Sequence, residues 1–247
     1  MPATNVALAS AIHDPNGRLV AAIERLAPAL KATFSHFAFN VSDATWPDLT
    51  TVARSLLGAE IIFHPAGEAM IGRRRGDAVR LGLEADTVLY SDPDHLLRWI
   101  EHNPSNLAET LHTRPELDLL VVGRSARTFA TEPRRLQETE RLVNHTYSLI
   151  TGERWDLMFA VRRMSRHAAE TIVAQSQVDT LANDVEWPLL ARSAGLSVGY
   201  AESDALFYRT IEEFGAAADT GDGDPLQWIR RIEFAALMAS AMRPFLK

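Results

Sequence analysis

Two rhythms of apolar residues alternate along the first half of the chain. Short runs at Val6 to Ser10, Phe37 to Val41, Glu60 to Phe63 and Thr87 to Ser91 are rich in apolar and β-branched residues. Between them, Leu19 to Leu30, Leu49 to Leu57 and Arg75 to Glu84 repeat apolar positions every three or four residues. Short unbroken runs fit strands buried on both faces, and the longer spacing fits amphipathic helices. Strand and helix in alternation predict an α/β fold with a mostly parallel central sheet flanked by helices.

The second half is less regular. A short helix is expected from Leu96 to Glu101, then a polar connection (HNPSNLAETLHTRPE), then a strand from Leu117 to Val122. Helical spacing runs from about Pro133 to Ile150, from Ser165 to Gln175 and from Val185 to Ala194, with a late strand at Val198 to Ala201. The segment DTGDGDPLQW, Asp219 to Trp228, is a turn-rich joint in which Asp224-Pro225 fits a cap followed by a first-turn proline. It opens a closing apolar helix, Leu226 to Met242. A calcium loop is excluded there, because the twelve-residue spacing and terminal glutamate are missing. The chain contains no internal repeat and reads as one domain: halves at 1–98 and 115–210, then a C-terminal loop and helix at 211–247.

With 247 residues, 47% hydrophobic and 23% charged, the chain has the composition of a globular domain. A net charge of -7 disfavours a nucleic-acid partner, whose footprint is a basic face. The charge is uneven: from Arg124 to Arg166 nine arginines stand against five acids, leaving +4 there and -11 elsewhere. Only Lys31 and Lys247 among the 25 basic residues are lysine. Arginine forks grip phosphate and carboxylate at two points, although genome composition gives the same bias. The absence of cysteine excludes thiolate sites, so any metal is held by oxygen or imidazole. No run reaches the length of a membrane span and the amino terminus lacks a signal pattern, so a cytoplasmic location is expected.

The chemistry concentrates at Asp92 and Asp94, two residues apart after the apolar run Val88 to Tyr90. Ligands of parallel sheets gather at carboxyl strand ends. An Asp-Pro-Asp stretch also makes an ordinary turn. Two carboxylates this close repel unless a cation or donors offset them. Mg²⁺ and Mn²⁺ meet that need, commonly with substrate phosphates completing the shell. Arg73, Arg74 and Arg75 open a helix and fit a phosphate at its amino terminus, though three successive residues cannot all face one ligand. His13 and His95 stand near strand ends, and Trp46, Trp99, Trp155 and Trp187 suit either stacking on a ligand or core packing.

The segment GRRRGDAVRLG, Gly72 to Gly82, a short distance before Asp92, resembles the lead-in of family 2 type, GT-A fold glycosyltransferases. FNVSDATWPDL, Phe39 to Leu49, resembles their segment after the second strand, with Ser42-Asp43 where two aspartates are usual. DLLVVGR (Asp118 to Arg124), RLVN (Arg141 to Asn144), GERWD (Gly152 to Asp156), AVRR (Ala160 to Arg163) and NDVEWPLLAR (Asn183 to Arg192) follow in the order of polyprenol-phosphate hexose synthases and related nucleotide-sugar transferases. Asn183 replaces a glutamate of the pattern. The resemblance covers roughly residues 5 to 205.

It implies a GT-A (Rossmann-like) fold with a C-terminal helical tail, the nucleotide-sugar half at 1–98 and the acceptor half at 115–210. A sugar would move from a UDP or GDP type donor to a hydroxyl of a small or lipid-linked acceptor. Donor contacts are expected from Asp14, Asp43, Arg73, Arg75 and Asp92, and Mn²⁺ or Mg²⁺ from Asp94 directly and Asp92 through water. Asp184 is the expected base with Glu186 in reserve, and Arg124, Arg141, Asp156 and Arg162 face the acceptor. A phosphate oxygen needs no base, so Asp184 beside the arginines points to an acidic acceptor that reacts through a hydroxyl. A haloacid dehalogenase type phosphatase fits poorly, since its Asp-x-Asp lies near the amino terminus and precedes threonine. The remaining alternative is a GT-A-like domain that binds a nucleotide or a protein partner without catalysis; a homo-oligomer is compatible with either reading.

Overall fold

The computed structural model describes residues 5–67, 69–207 and 221–246. Asp219 and Thr220 of the expected joint, with most of the expected C-terminal loop, lie outside them. In the first half, strands β1 (Val6–Ile12), β2 (His36–Ser42), β3 (Glu60–His64) and β4 (Thr87–Tyr90) alternate with helices α1 (Val20–Thr33), α2 (Pro47–Leu57) and α3 (Ile71–Leu81). Then come α4 (Pro93–His102), α5 (Pro104–His112), β5 (Leu119–Arg124), α6 (Ala126–Phe129) and α7 (Arg134–Thr151). The rest is β6 (Val161–Ser165), α8 (Arg166–Gln175), α9 (Asn183–Ser193), β7 (Val198–Ser203) and α10 (Pro225–Met242).

The described strands form one sheet in the order β3-β2-β1-β4-β6-β5-β7. β6 runs antiparallel to β4 and β5, and every other pairing is parallel. This mixed sheet, with helices on both faces and a C-terminal helix, is the expected GT-A arrangement. Strands β1, β2, β3, β4, β5 and β7 therefore end at one edge, where β6 begins.

Alternation along β1 explains the two layers. Val6, Leu8 and Ile12 join the core under α1, α2, α4 and α5, while Ala7 and Ala9 join the core under α3, α7, α8, α9 and α10. Small residues on the second face let α3 lie close to the sheet. A Cβ on Gly82, just past α3, would stand 3.2 Å from that of Ala7.

Gly72 has the same role at the other end of α3. A Cβ there would meet the Thr180 carbonyl oxygen at 2.1 Å and that of Val178 at 2.7 Å. The amides of Gly72 and Arg73 donate to the Asp179 carbonyl at 2.8 and 3.2 Å. The helix start is thus capped by the chain itself, not open to a phosphate as its arginines suggested.

Three elements depart from the sequence reading, the one-turn α6 (Ala126–Phe129) among them. The polar connection after α4 contains α5, started by the Asn103 side chain, which accepts from the Asn106 amide at 3.1 Å. β6, with the sequence VRRMS, carries arginines at two buried interior positions. Arg163 closes the end of α5, donating to the carbonyls of Thr110, Leu111, Thr113 and Arg114. Thr110 and Leu111 are in the last turn, whose carbonyls a helix end leaves without intrahelical partners, and Thr113 and Arg114 follow just beyond it. Arg162 points to the other face and donates to the carbonyls of Leu157 at 2.6 Å and Asp184 at 2.9 Å.

The close approach at Gly72 sets a contrast with Gly76, whose Cβ would meet nothing within 4 Å. Gly76→Ala should raise stability by up to about 1 kcal/mol through helix propensity. Gly72→Ala should lower it by roughly 1–3 kcal/mol or more through overpacking. Urea unfolding of both variants checks the pair, and equal effects would contradict the packing described.

Candidate functional site

The positive charge that balances Asp92 is Arg75. Its position in α3 shares a face with Ala78 and Val79, which are buried against the sheet. That phase turns Arg75 inward and leaves Arg73 exposed on a separate small groove between α3 and α8. The Arg75 guanidinium donates to Asp92 at 2.9 Å and to Asp184 and Asn183 at 3.0 Å each. It also lies over the Tyr90 ring, 5.6 Å from the centroid.

Asp92 is the N-cap residue of α4, yet its side chain makes no capping bond. It is used instead by the site: one oxygen accepts from Arg75 and the other from the Tyr90 hydroxyl at 2.7 Å. Residues i and i+2 of an extended segment share a face, so the Tyr90–Asp92 pair could have been read from spacing. Asn183, noted only as a departure from a motif, is likewise a member of the network. Burial alone would lower the Arg75 pKa, but Asp92 and Asp184 outweigh it and hold the cation well above its ordinary value. Burial raises Asp184 despite the opposing charges of Arg75 and Arg162. Burial, then Asp92, pushes Tyr90 well above its ordinary value, so its hydroxyl stays a donor.

Arg75, Asp92 and Asp94 line a cleft of about 380 Å³ together with His13, Asp14 and Arg18. Both Asp14 oxygens are occupied by backbone amides, those of Arg18 at 2.9 Å and Leu19 at 2.8 Å, so Asp14 shapes the loop after β1. Asp43 is exposed beyond β2, and its carboxylate accepts from the Ala66 amide at 2.8 Å. Asp94, with a side chain 38% exposed, lies 3.9 Å from the His95 imidazole. Hard cations suit the oxygens of Asp92 and Asp94. Among the described residues no group of three or more His, Asp or Glu side chains gathers where it could hold a metal ion.

A second, larger cavity of about 760 Å³ opens at the ends of β5 and β7, with Arg141, His145, Arg154, Phe129, Trp155 and Tyr200 in its wall. Arg124 forms its floor, but each of its three guanidinium nitrogens is bonded to a carboxylate. Nε and one terminal nitrogen bind Asp156 at 2.7 and 2.8 Å, while Glu132 and Glu140 each accept at 2.5 Å. Its side chain is 1% exposed. Arg124 and Asp156 therefore pair with each other instead of presenting a grip to an acceptor. Arg162, turned to backbone carbonyls, is equally committed. Arg141 is exposed in the cavity, as is Arg154, which the motif comparison had not singled out. Its signal was a lone arginine beside Gly152 at the end of a helix.

Glu186 is also placed otherwise than expected. It is buried, and its oxygens accept from Ser176 Oγ at 2.5 Å and the Gln177 amide at 2.8 Å, fixing the turn after α8. Asp184 lines neither cavity. Of the tryptophans, Trp99 and Trp187 are core, Trp155 stacks on Tyr200, and Trp46 is half exposed.

No family model matches the chain, and no curated protein matches it by sequence. Solved structures share its fold. Glucosyl-3-phosphoglycerate synthase from Mycobacterium tuberculosis in complex with phosphoglyceric acid superposes with a TM-score of 0.55 at 12% identity, over 96% of this chain and 80% of that one. The same enzyme with Mn²⁺, UDP-glucose and phosphoglyceric acid gives 0.54 at 12% identity, over 96% and 79%. A further structure of that synthase gives 0.53 at 12%, over 95% and 80%. At such identity the likeness is one of fold. No helix among the described residues is long and apolar enough to cross a membrane.

The carboxylates around Arg124 give the domain a pH dependence. Glu132 is pushed up to about 7, first by burial and then by Glu140 and Asp156, against the pull of Arg124. Between its ordinary 4.5 and about 7 the unfolded chain has lost a proton that the folded chain keeps, so stability falls as pH rises through that window. Glu132→Gln should remove its share of the fall, on the order of 3 kcal/mol. Urea unfolding at pH 4.5 and pH 8 measures it; identical slopes for variant and parent would refute the assignment.

Proposed function

We propose that this chain is a glycosyltransferase of GT-A type, moving a sugar from a nucleoside diphosphate donor, UDP or GDP in kind, to a hydroxyl of a small acidic acceptor. One observation carries the reading: a buried guanidinium, held by Asp92 and Asp184 at the carboxyl end of β4, faces a cleft walled by two further carboxylates. The shared fold with a synthase solved with UDP-glucose and Mn²⁺ supports it.

Mn²⁺ or Mg²⁺ held by Asp94, with Asp92 through its remaining lone pairs, would neutralise charge on the departing diphosphate. Arg75 adds a fixed positive charge at the same wall. It needs no proton transfer, because its pKa lies far above any working pH. Asp184 is assigned a positioning role on Arg75, since its carboxylate is nearly buried and faces neither cavity. The acceptor is assigned to the larger cavity, with its anionic group on Arg141 and Arg154 and its apolar part against Phe129 and Trp155.

Calorimetry with UDP and GDP should find affinity raised by Mn²⁺, and Asp94→Ala should remove that gain, a loss of at least about 10 to 100-fold. Equal affinity with and without metal would exclude the donor site. Asp184→Asn separates positioning from base chemistry: a loosened Arg75 weakens nucleotide binding, whereas loss of a base leaves binding intact and lowers turnover by about 10² to 10⁴.

Arg141→Gln with Arg154→Gln should raise the KM of an acidic acceptor and leave donor affinity unchanged. Kinetics with phosphorylated and uncharged hydroxyl acceptors would check this, and an uncharged acceptor used equally well by parent and variant would refute it.

A further inference from the structure

The larger cavity carries one charge that an acidic acceptor does not account for. Glu202, near the end of β7, is exposed and lines that cavity together with Arg141 and Arg154. A carboxylate in the wall of a pocket for an anion repels its ligand. Nothing in the proposed transfer uses it.

The strand sets its place. Residues two apart on a strand share a face, so Glu202 stands beside Tyr200, which lines the same cavity. The Tyr200 ring stacks on Trp155, with centroids 5.7 Å apart and planes at 9°. Trp155 directly follows Arg154 in the chain. The aromatic pair therefore spaces the loop that carries Arg154 from the strand that carries Glu202.

Both supports are tied down. The Arg192 guanidinium covers Trp155 at 4.7 Å and holds Glu153 at 3.4 Å. Asp156 is bound by Arg124 and by Asn144. On β7 the Tyr200 hydroxyl accepts from the Asp156 amide at 3.2 Å, and Ser203 donates to Asn106 at 2.6 Å. The neighbours of both charges are thus committed within the fold. Arg154 and Glu202 are not: among the described residues neither side chain makes an ion pair or a hydrogen bond, with the other or with a third group. A free cation and a free anion, held apart in one cavity, match a ligand that carries both signs of charge.

We propose that the acceptor bound in this cavity is a zwitterion, with its acidic group on Arg154 and Arg141, an ammonium group on Glu202, and the stem between them against Tyr200. The inference rests on the assignment of the acceptor to the larger cavity, and adds to it a second point of recognition of opposite sign. Two unlike contacts fix which end of the ligand goes where, so its hydroxyl is presented in one orientation. A hydroxy amino acid or its phosphate ester has this charge pattern, and a simple hydroxy acid does not.

O-phosphoserine and 3-phosphoglycerate are a matched pair of probes, since the ammonium of one stands where the other has a hydroxyl. Calorimetry on the full chain, without donor, should find phosphoserine bound about tenfold more tightly, the usual worth of one charge-assisted hydrogen bond. Glu202→Gln should bring the two level, Glu202→Lys should reverse their order, and Arg154→Gln should weaken both. Both residues are exposed, so these variants should keep the parent's circular dichroism. Equal affinities in the parent, a preference for phosphoglycerate, a preference that survives Glu202→Gln, or no binding of either probe would overturn the proposal. Should it be overturned while UDP still binds with the gain from Mn²⁺ that Asp94→Ala removes, the transferase reading stands without it. Should phosphoserine bind as expected and the metal-dependent nucleotide binding be absent, that reading fails and the zwitterion site remains.

Discussion

A buried guanidinium must be balanced where it stands, and Arg75 is the charge on which the candidate site depends. Its side chain is 8% exposed. Taking a cation and its counter-ions out of water costs several kcal/mol per ion unless geometry and hydrogen bonds repay it. Arg75 meets that condition only because three elements converge: α3 supplies the cation, the end of β4 supplies Asp92, and the start of α9 supplies Asp184 and Asn183. The contact of Gly72 with 178–180 fixes α3 against the segment that leads into α9. Removing that contact would move the cation relative to both carboxylates, so packing at one end of the helix determines electrostatics at the strand end.

The arginine-rich middle of the chain uses the same physics for structure. Arg124 gathers Glu132, Glu140 and Asp156, and Arg231 of α10 completes the cluster by bonding Glu140 at 2.6 Å. Arg162 and Arg163 satisfy backbone carbonyls on opposite faces of β6. Such tasks need a planar group with five donors, which lysine lacks. Much of the local excess of positive charge is therefore consumed internally. Arg141 and Arg154 are the guanidinium groups from that stretch that remain exposed in the larger cavity.

The parts of the fold that were legible are those where burial and periodicity agree. β1, β2 and β4 read correctly because their runs are apolar and almost wholly buried, whereas β3, at the sheet's edge and largely exposed, read from the apolar run Ile61 to Phe63 alone. β6 was hidden because its two arginines, paired only after folding, break the apolar run, and α5 was hidden by its polar, cap-rich start. In the site, Asp92 and Asp94 were legible from their position after a strand. The choice among Arg73, Arg74 and Arg75 was also available in principle, since only position 75 shares the phase of Ala78 and Val79. Arg124 was misjudged for a reason no motif states. Whether a strand-end arginine faces solvent or three carboxylates depends on the turn before α7, on α7 and on the 152–160 segment, which bring in Glu132, Glu140 and Asp156 from 8, 16 and 32 residues away.

The two cavities stand on the same edge of the sheet, and what lies between them constrains any chemistry that uses both. His95 stacks on Phe159 with ring centroids 3.8 Å apart, and the Arg124 guanidinium covers Phe159 at 4.9 Å. A continuous line of contacts therefore runs from Asp94, through His95 and Phe159, to the Arg124 cluster. Every member is held from at least one side: His95 by the ring beneath it, Phe159 by the cation, Arg124 by three carboxylates. Separation of the Asp92–Asp94 carboxylates from the exposed arginines is thus set by packed side chains, with Phe159 supplied by the turn before β6. Such rigidity matters because misplacement by about 1 Å can cost a hundredfold in rate.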